Sequence, residues 1–161
     1  MLADIVVEAL TAHGVTEYDV MECDPSLADT AEFCKAYRVD PGDSANTILV
    51  ASKRPSGINA ACIVLATHRL DVNRAVRSQL DVKKLSFASA DLTVDLTTMQ
   101  IGGVTPFGLP QSMRVLVDAA VLGRPSIVLG GGNRTSKLRL HPSHLLALPA
   151  VEVVEGLAAP A

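Results

Sequence analysis

Hydrophobic positions recur along this chain with two periods, and the switches between them mark out the elements. Ile5, Val6, Ala9 and Leu10 share one helical face, and Gly14 stands where that helix would stop. Tyr18 to Cys23 reads as a short strand. Asp29 is placed to cap a helix that runs through Tyr37, buries Phe33, Cys34 and Tyr37, and ends before the turn Asp40-Pro41-Gly42. Two apolar runs follow, Thr47 to Ala51 and Ala60 to Ala66, split by the breaker Arg54-Pro55-Ser56-Gly57, and predict a hairpin of two buried strands. Asp71 opens a second amphipathic helix with Val72, Ala75, Val76 and Leu80 on one side. Lys84 to Ala88 predicts a strand, and Ser89 an N-cap for a brief helix over Asp91 to Leu96. Next come a strand ending in Gly102-Gly103 and strands over Arg114–Val117, Ser126–Leu129 and Lys137–Leu140. A short helix opened by Pro142 and a closing strand over Val151–Val154 end the pattern.

About eight strands and four or five short helices predict a single α+β domain over residues 1–155, with a short apolar tail at 156–161. Several strands are apolar on both faces, so the sheet is central and covered by the short helices. The hairpins make that sheet mixed rather than purely parallel.

Composition narrows the function. Hydrophobic residues make up 48% and charged residues 19%, which excludes a disordered chain. No apolar run reaches the roughly 18 residues of a membrane span. The N-terminus has no basic region, so no secretory signal is expected, and three scattered cysteines point to a reducing, cytoplasmic setting. A net charge of −3, no Trp and only five Tyr and Phe argue against a general nucleic-acid binder or a base-stacking platform. A local contact with one end of a nucleic acid fits this composition.

Two glycine-rich segments each follow a predicted strand. Gly102-Gly-Val-Thr-Pro-Phe-Gly108 can aim backbone amides at a carbonyl or oxyanion, or can be an ordinary tight connection. Gly130-Gly-Gly-Asn-Arg134 suits a phosphate or a hairpin turn; it lacks both the P-loop ending and the dinucleotide fingerprint. Cys23, Cys34 and Cys62 form no CxxC pair, and His141 and His144 have no third partner nearby, so no metal site is read. His68 stands where a buried strand hands over to a loop, a place for a site histidine or an exposed one. No serine-hydrolase elbow and no acid/base carboxylate pair is present. Arg69, Arg74, Arg77, Lys83 and Lys84 form one basic group, and Arg134, Lys137 and Arg139 a second; on one face they would steer a phosphate backbone, and the alternative is that Arg74 and Arg77 are the solvated face of a helix.

The order of the apolar hairpin, the helix, Val82-Lys-Lys84 and the two glycine segments resembles the YbaK/ProX family of aminoacyl-tRNA deacylases, relatives of the editing insertion of bacterial prolyl-tRNA synthetase. The likeness covers residues 1 to 155, and Gly102-Gly-Val-Thr-Pro-Phe-Gly108 is its most specific part. It implies a mixed-sheet fold of that family's type and hydrolysis of the ester in mischarged tRNA, tRNA(Pro) bearing a small amino acid. It implies no metal and no organic cofactor, with the tRNA acceptor end and prolyl-tRNA synthetase as partners. Carried over, Gly102, Gly103, Thr105, Pro106 and Gly108 form the catalytic loop around the aminoacyl carbonyl. Asn46, His68, Phe107, Gly131, Gly132, Asn133 and Arg134 hold the tRNA end. The chain departs from the family at Asn46, where a lysine is expected; a neutral amide replaces a fixed charge there, and Lys53 or Lys35 would have to supply it in space. The implied mechanism is attack by water, with loop amides holding the oxyanion. The alternative is a non-catalytic binder of aminoacyl-adenosine or the acceptor end.

Overall fold

The computed structural model describes residues 1–161. Helix α1 (Asp4–Ala12) turns Val6 and Leu10 inward, and Gly14, at φ +71°, lets the chain reverse after it. Strand β1 (Asp19–Glu22) leads through a 3-10 turn at Pro25–Leu27 into helix α2 (Thr30–Tyr37). This helix buries Phe33 and Cys34, and the Tyr37 ring stacks on Phe33 at 4.8 Å. The hairpin follows as β2 (Ala45–Arg54) and β3 (Ser56–Leu65), with Asn46 opposite Val64 and Val50 opposite Ala60. Then come β4 (His68–Leu70), a π-helical turn at Val72–Val76 running into α3 (Arg77–Leu80), β5 (Lys84–Phe87) and α4 (Ala90–Thr97). The Ser89 hydroxyl caps α4 by accepting from the Leu92 N–H at 3.1 Å. The chain ends with β6 (Arg114–Asp118), α5 (Ala119–Leu122), β7 (Ile127–Gly130), β8 (Ser136–Leu140), a 3-10 segment at Pro142–Ala147, β9 (Val151–Val154) and β10 (Ala158–Pro160).

The central sheet has the order β5-β2-β3-β6-β9 and is mixed. Strand β2 is antiparallel to β5 and β3, and β6 is parallel to β3 and β9. A second, antiparallel sheet has the order β1-β8-β7, and a small third one pairs β10 with β4. Alternation along β3 covers both faces of the central sheet. Ile63 and Leu65 pack with Val6 and Leu10 of α1 and with Leu129 and Leu138 of the second sheet. Cys62 and Val64 pack instead with Val72, Val76, Leu80 and Leu157. The doubly apolar strands of the sequence are explained by these two cores. No helix is long and apolar enough to cross a membrane.

Four local expectations change. Residues 98–113 hold no strand; Thr98 ends α4 at φ +60°, and the backbone beyond it pairs with itself and with the second glycine segment. The helix at Asp71 is a π turn followed by four α-helical residues. Asp29 occupies the cap position of α2 without capping it, because its carboxylate pairs with Arg134 at 3.2 Å. Residues 156–161 are not a free tail: Leu157 is 0% exposed, and Ala158–Pro160 pair with His68–Leu70. Leu157→Ala is therefore expected to cost about 2–5 kcal/mol, the range for a leucine deleted from a closed core, read from urea denaturation. An effect below about 1 kcal/mol would show that the C-terminus is not part of the core.

Candidate active site

The two larger sheets pack through the main core but share a single backbone bridge, Ser44 to Val128, and no ladder joins them beyond it. Residues of β2 and β7 next to that bridge line a cleft of about 380 Å³. Asn46 and Thr47 come from β2, Thr30 and Phe33 from α2, and Gly130 from β7. Phe87 at the end of β5, 59% exposed, and the loop residues Gly102 and Val104 complete the wall.

Lys137 is the charged group of this cleft. Leu138 and Leu140 of β8 enter the main core, so period two turns Lys137 to the opposite face. It is only 7% exposed. Its Nζ donates to Ala28 O at 2.6 Å and to Gly102 O at 2.8 Å, and it lies 5.2 Å from the Phe33 ring centroid. No carboxylate forms an ion pair with it. Burial holds its pKa below the usual lysine range, helped by Arg134 and opposed by Cys23, Asp29 and Cys34. An ammonium has three N–H donors, so one remains for a ligand.

The two glycine segments converge beside this lysine. The Gly132 N–H donates to Gly103 O at 2.6 Å, and the Gln100 N–H to Gly132 O at 3.2 Å. Contact this close requires residues without a Cβ. A Cβ on Gly130 would stand 2.5 Å from Gly103 O and 2.6 Å from Val104 O, and one on Gly103 would enter the Asn133 backbone.

Convergence has consumed several amides. Gly103 N–H donates to Gln100 O, Arg134 N–H to the Gln100 side chain, and Thr135 N–H to the Asn133 side chain. The amides of Gly102 and Val104, both on the cleft, have no intramolecular acceptor. These two are the donors that the loop can offer an oxyanion.

Of the residues singled out from sequence, Asn46 and Gly102 line the cleft, and Gly103 lies directly behind it, packed on Asn133. Asn46 Oδ1 accepts from the Thr30 hydroxyl at 2.7 Å, which ties β2 to α2. Thr105 and Phe107 are 0% exposed and belong to the interior, while Pro106 and Gly108 face a different hollow, shared with Ile5 and Ala9. Gly131 and Gly132 are buried turn residues. Asn133 is spent on the turn: its side chain donates to Met1 O and accepts from Thr135 and Ser136. Arg134 is a clamp, with its guanidinium on Pro25 O, Ile101 O and Asp29, and is not free to hold a phosphate. His68 pairs with Pro160 on β4, away from the cleft. Lys35 and Lys53 are exposed and off the cleft, so neither supplies the charge absent at position 46.

The sequence alone groups Lys137 with Arg134 and Arg139 as phosphate-steering charge and gives Phe87 no role in a site. The signal for Lys137 was its place between Ser136 and Leu138 on an apolar strand, directly after a glycine turn. For Phe87 it was the phase shared with the buried Leu85, two residues back on β5. The cysteines offer no nucleophile. Burial pushes Cys23 and Cys34 up, and Cys62 up to about 12, so all three are neutral thiols near pH 7. No three His, Cys, Asp or Glu side chains come together as metal ligands.

Residues 24–148 match the model of the aminoacyl-tRNA editing domain. Among solved structures, the chain is similar to a candidate trans-editing enzyme for prolyl tRNA synthetase, at 23% identity and TM-score 0.80, covering 96% of this chain and 98% of that one. It is also similar to a hypothetical protein, at 26% identity and TM-score 0.84, covering 97% and 100%. A scaffold protein used for epitope backbone grafting aligns at 24% identity and TM-score 0.81 over 95% of each chain.

Proposed function

Because the chain belongs to the aminoacyl-tRNA editing domain family, we propose that it hydrolyses the ester of mischarged tRNA, with tRNA(Pro) bearing a small amino acid as substrate. The observation that carries this reading is a cleft of about 380 Å³ that gathers one buried ammonium and two unpaired amides around a space lined by no cysteine, histidine or carboxylate. An aminoacyl ester is already activated, so water can attack it directly. Charge then builds on the carbonyl oxygen, where the Gly102 and Val104 amides would donate; one such donor is typically worth about 10²–10³ in rate. The remaining N–H of Lys137 would add a fixed positive charge beside them. Collapse of the tetrahedral intermediate releases the amino acid's carboxyl group, and the departing ribose oxygen takes up the proton given by water. A cleft of this volume suits an aminoacyl group with part of its ribose. Selection by shape stays modest, since one methylene is worth about 1–3 kcal/mol. This reading makes the tRNA acceptor end the binding partner and prolyl-tRNA synthetase the enzyme whose errors are corrected, in the cytoplasm.

The test is a deacylation panel of labelled Ala-, Cys- and Ser-tRNA(Pro). Release of at least one amino acid well above the buffer control is expected, and none above it would end the hydrolase reading. The second reading, a non-catalytic binder of aminoacyl-adenosine or the acceptor end, is favoured by Asn46 and by the two carbonyls that already occupy Lys137. A melting temperature raised by an adenosine-bearing ligand, without turnover, would select it.

A further inference from the structure

Four cations on three elements are joined into one surface patch away from the cleft's interior. Arg54 of β2 stands directly opposite Lys84 of β5. The Lys83 N–H donates to Arg54 O at 2.8 Å, and the Arg77 guanidinium donates to Lys83 O at 3.4 Å. All four side chains belong to exposed residues, and Arg74 and Lys83 line the same shallow groove as Arg77. Every ion pair in the protein uses Arg114, Arg124 or Arg134, so none neutralises this patch. Asp81 is the one carboxylate in the groove, and it pairs with no cation. Like charges directly opposite on neighbouring strands destabilise a sheet. A chain of net charge −3 nonetheless concentrates them here, beside a register shift in β2 of the kind that re-aims side chains.

We propose that Arg54, Arg77, Lys83 and Lys84 form a track for the phosphodiester backbone of the RNA whose 3′ end enters the cleft. The proposal rests on the function given above and adds the surface that holds the rest of the substrate. Continuity with the cleft selects RNA over an acidic protein. Strand β5 is the sheet's edge and runs from Lys84 to Phe87, the exposed ring on the cleft wall. Those three steps cover roughly 10 Å at about 3.3 Å per residue. That reach matches the last few nucleotides of a single-stranded 3′ end. Lys84 and Phe87 fall on opposite faces of β5, so the path follows the edge of the sheet, with an aromatic ring at one end and cations at the other. That pairing is how proteins hold single-stranded nucleic acid.

The test is fluorescence polarisation with a labelled, non-aminoacylated RNA hairpin that ends in a single-stranded 3′ CCA. The variant Arg77→Glu/Lys83→Glu is compared with Arg38→Glu/Arg139→Glu, which changes net charge equally elsewhere. The strip variant is expected to bind about tenfold more weakly at low salt, with the slope of log affinity against log salt reduced by about 2, roughly 1 per lost phosphate contact. The control should stay within about twofold of wild type. Equal loss in both variants, or no RNA binding by wild type, would overturn the track. Displacement of RNA by polyglutamate as readily as by polyuridylate would overturn it too and assign the patch to acidic polypeptides. Hydrolysis of 3′-aminoacyl-adenosine, too short to reach the strip, reads the cleft separately. Its absence beside intact, strip-dependent RNA binding would remove the hydrolase reading and leave the track standing.

Discussion

Lys137→Met is expected to lower ester hydrolysis by at least about 100-fold, with a melting temperature shifted by only a few degrees. Loss of one well-placed electrostatic donor is typically worth about 10²–10³, and this ammonium also holds the Gly102 carbonyl, hence the neighbouring amides, in place. Stability changes little because two terms oppose. Two carbonyls lose a donor, each costing about 1–3 kcal/mol if left dry. A buried charge without an ion-pair partner is removed at the same time, which relieves desolvation. Lys137→Arg should fail as well, since a planar fork cannot reproduce a point donor between two carbonyls.

The pH response carries a sign that a structural role alone would not produce. The native pKa of Lys137 is depressed by burial, so its charge is lost below the usual lysine range. Activity should fall across that alkaline window. Over the same window the unfolded chain holds the proton more tightly than the folded one, so stability should rise with pH. Lys137→Met should flatten both dependences at this site. Asn46→Lys in the wild type should gain less than twofold, because the cleft already holds an ammonium. In the Lys137→Met background it should restore part of the activity. Activity of Lys137→Met within threefold of wild type would refute the assignment.

Gly103→Ala is expected to be comparably damaging, by a different route. The added Cβ would stand 2.6 Å from the Asn133 carbonyl carbon and 2.7 Å from its nitrogen. Both are backbone atoms, and the Gly132-to-Gly103 and Gln100-to-Gly132 hydrogen bonds hold the segments in register. The turns must separate, at about 1–3 kcal/mol of overpacking cost. A displacement of 1 Å at the amides can cost about 100-fold in rate. Gly57→Ala is the contrast. Its φ of +89° makes alanine strained there, but nothing lies within 4 Å of the new Cβ, so stability falls while turnover holds. Wild-type kcat/KM from Gly103→Ala, with denaturation unchanged, would show that contact between the two turns is unnecessary.

Much of the fold was legible because it is local. The helix over residues 4–12, the hairpin of β2 and β3, and the Ser89 cap follow from spacing, breakers and one hydroxyl within a few residues of each other. The expected strand before Gly102 is absent because a single apolar residue such as Met99, 1% exposed, can be buried by a loop as well as by a ladder, and periodicity does not separate the two over three residues. The C-terminus departs from its sequence pattern for a related reason. Leu157 is one apolar residue among small ones, and only the cover provided by Leu70 and Leu116 makes it core.

In the candidate site, the chain alone established that glycines would crowd two turns and that position 46 would carry no charge. It could not say which amides stay free, because each is decided by a partner far along the chain: Gly132 takes Gly103 O, while Gly102 and Val104 find none. Nor could it show that Lys137 is buried, since that depends on carbonyls at residues 28 and 102 brought to it by other elements. Periodicity belongs to the backbone's own geometry and can be read in one dimension. Desolvation and hydrogen-bond competition are settled by what packs across the gap, and the joining of the two sheets decided them here.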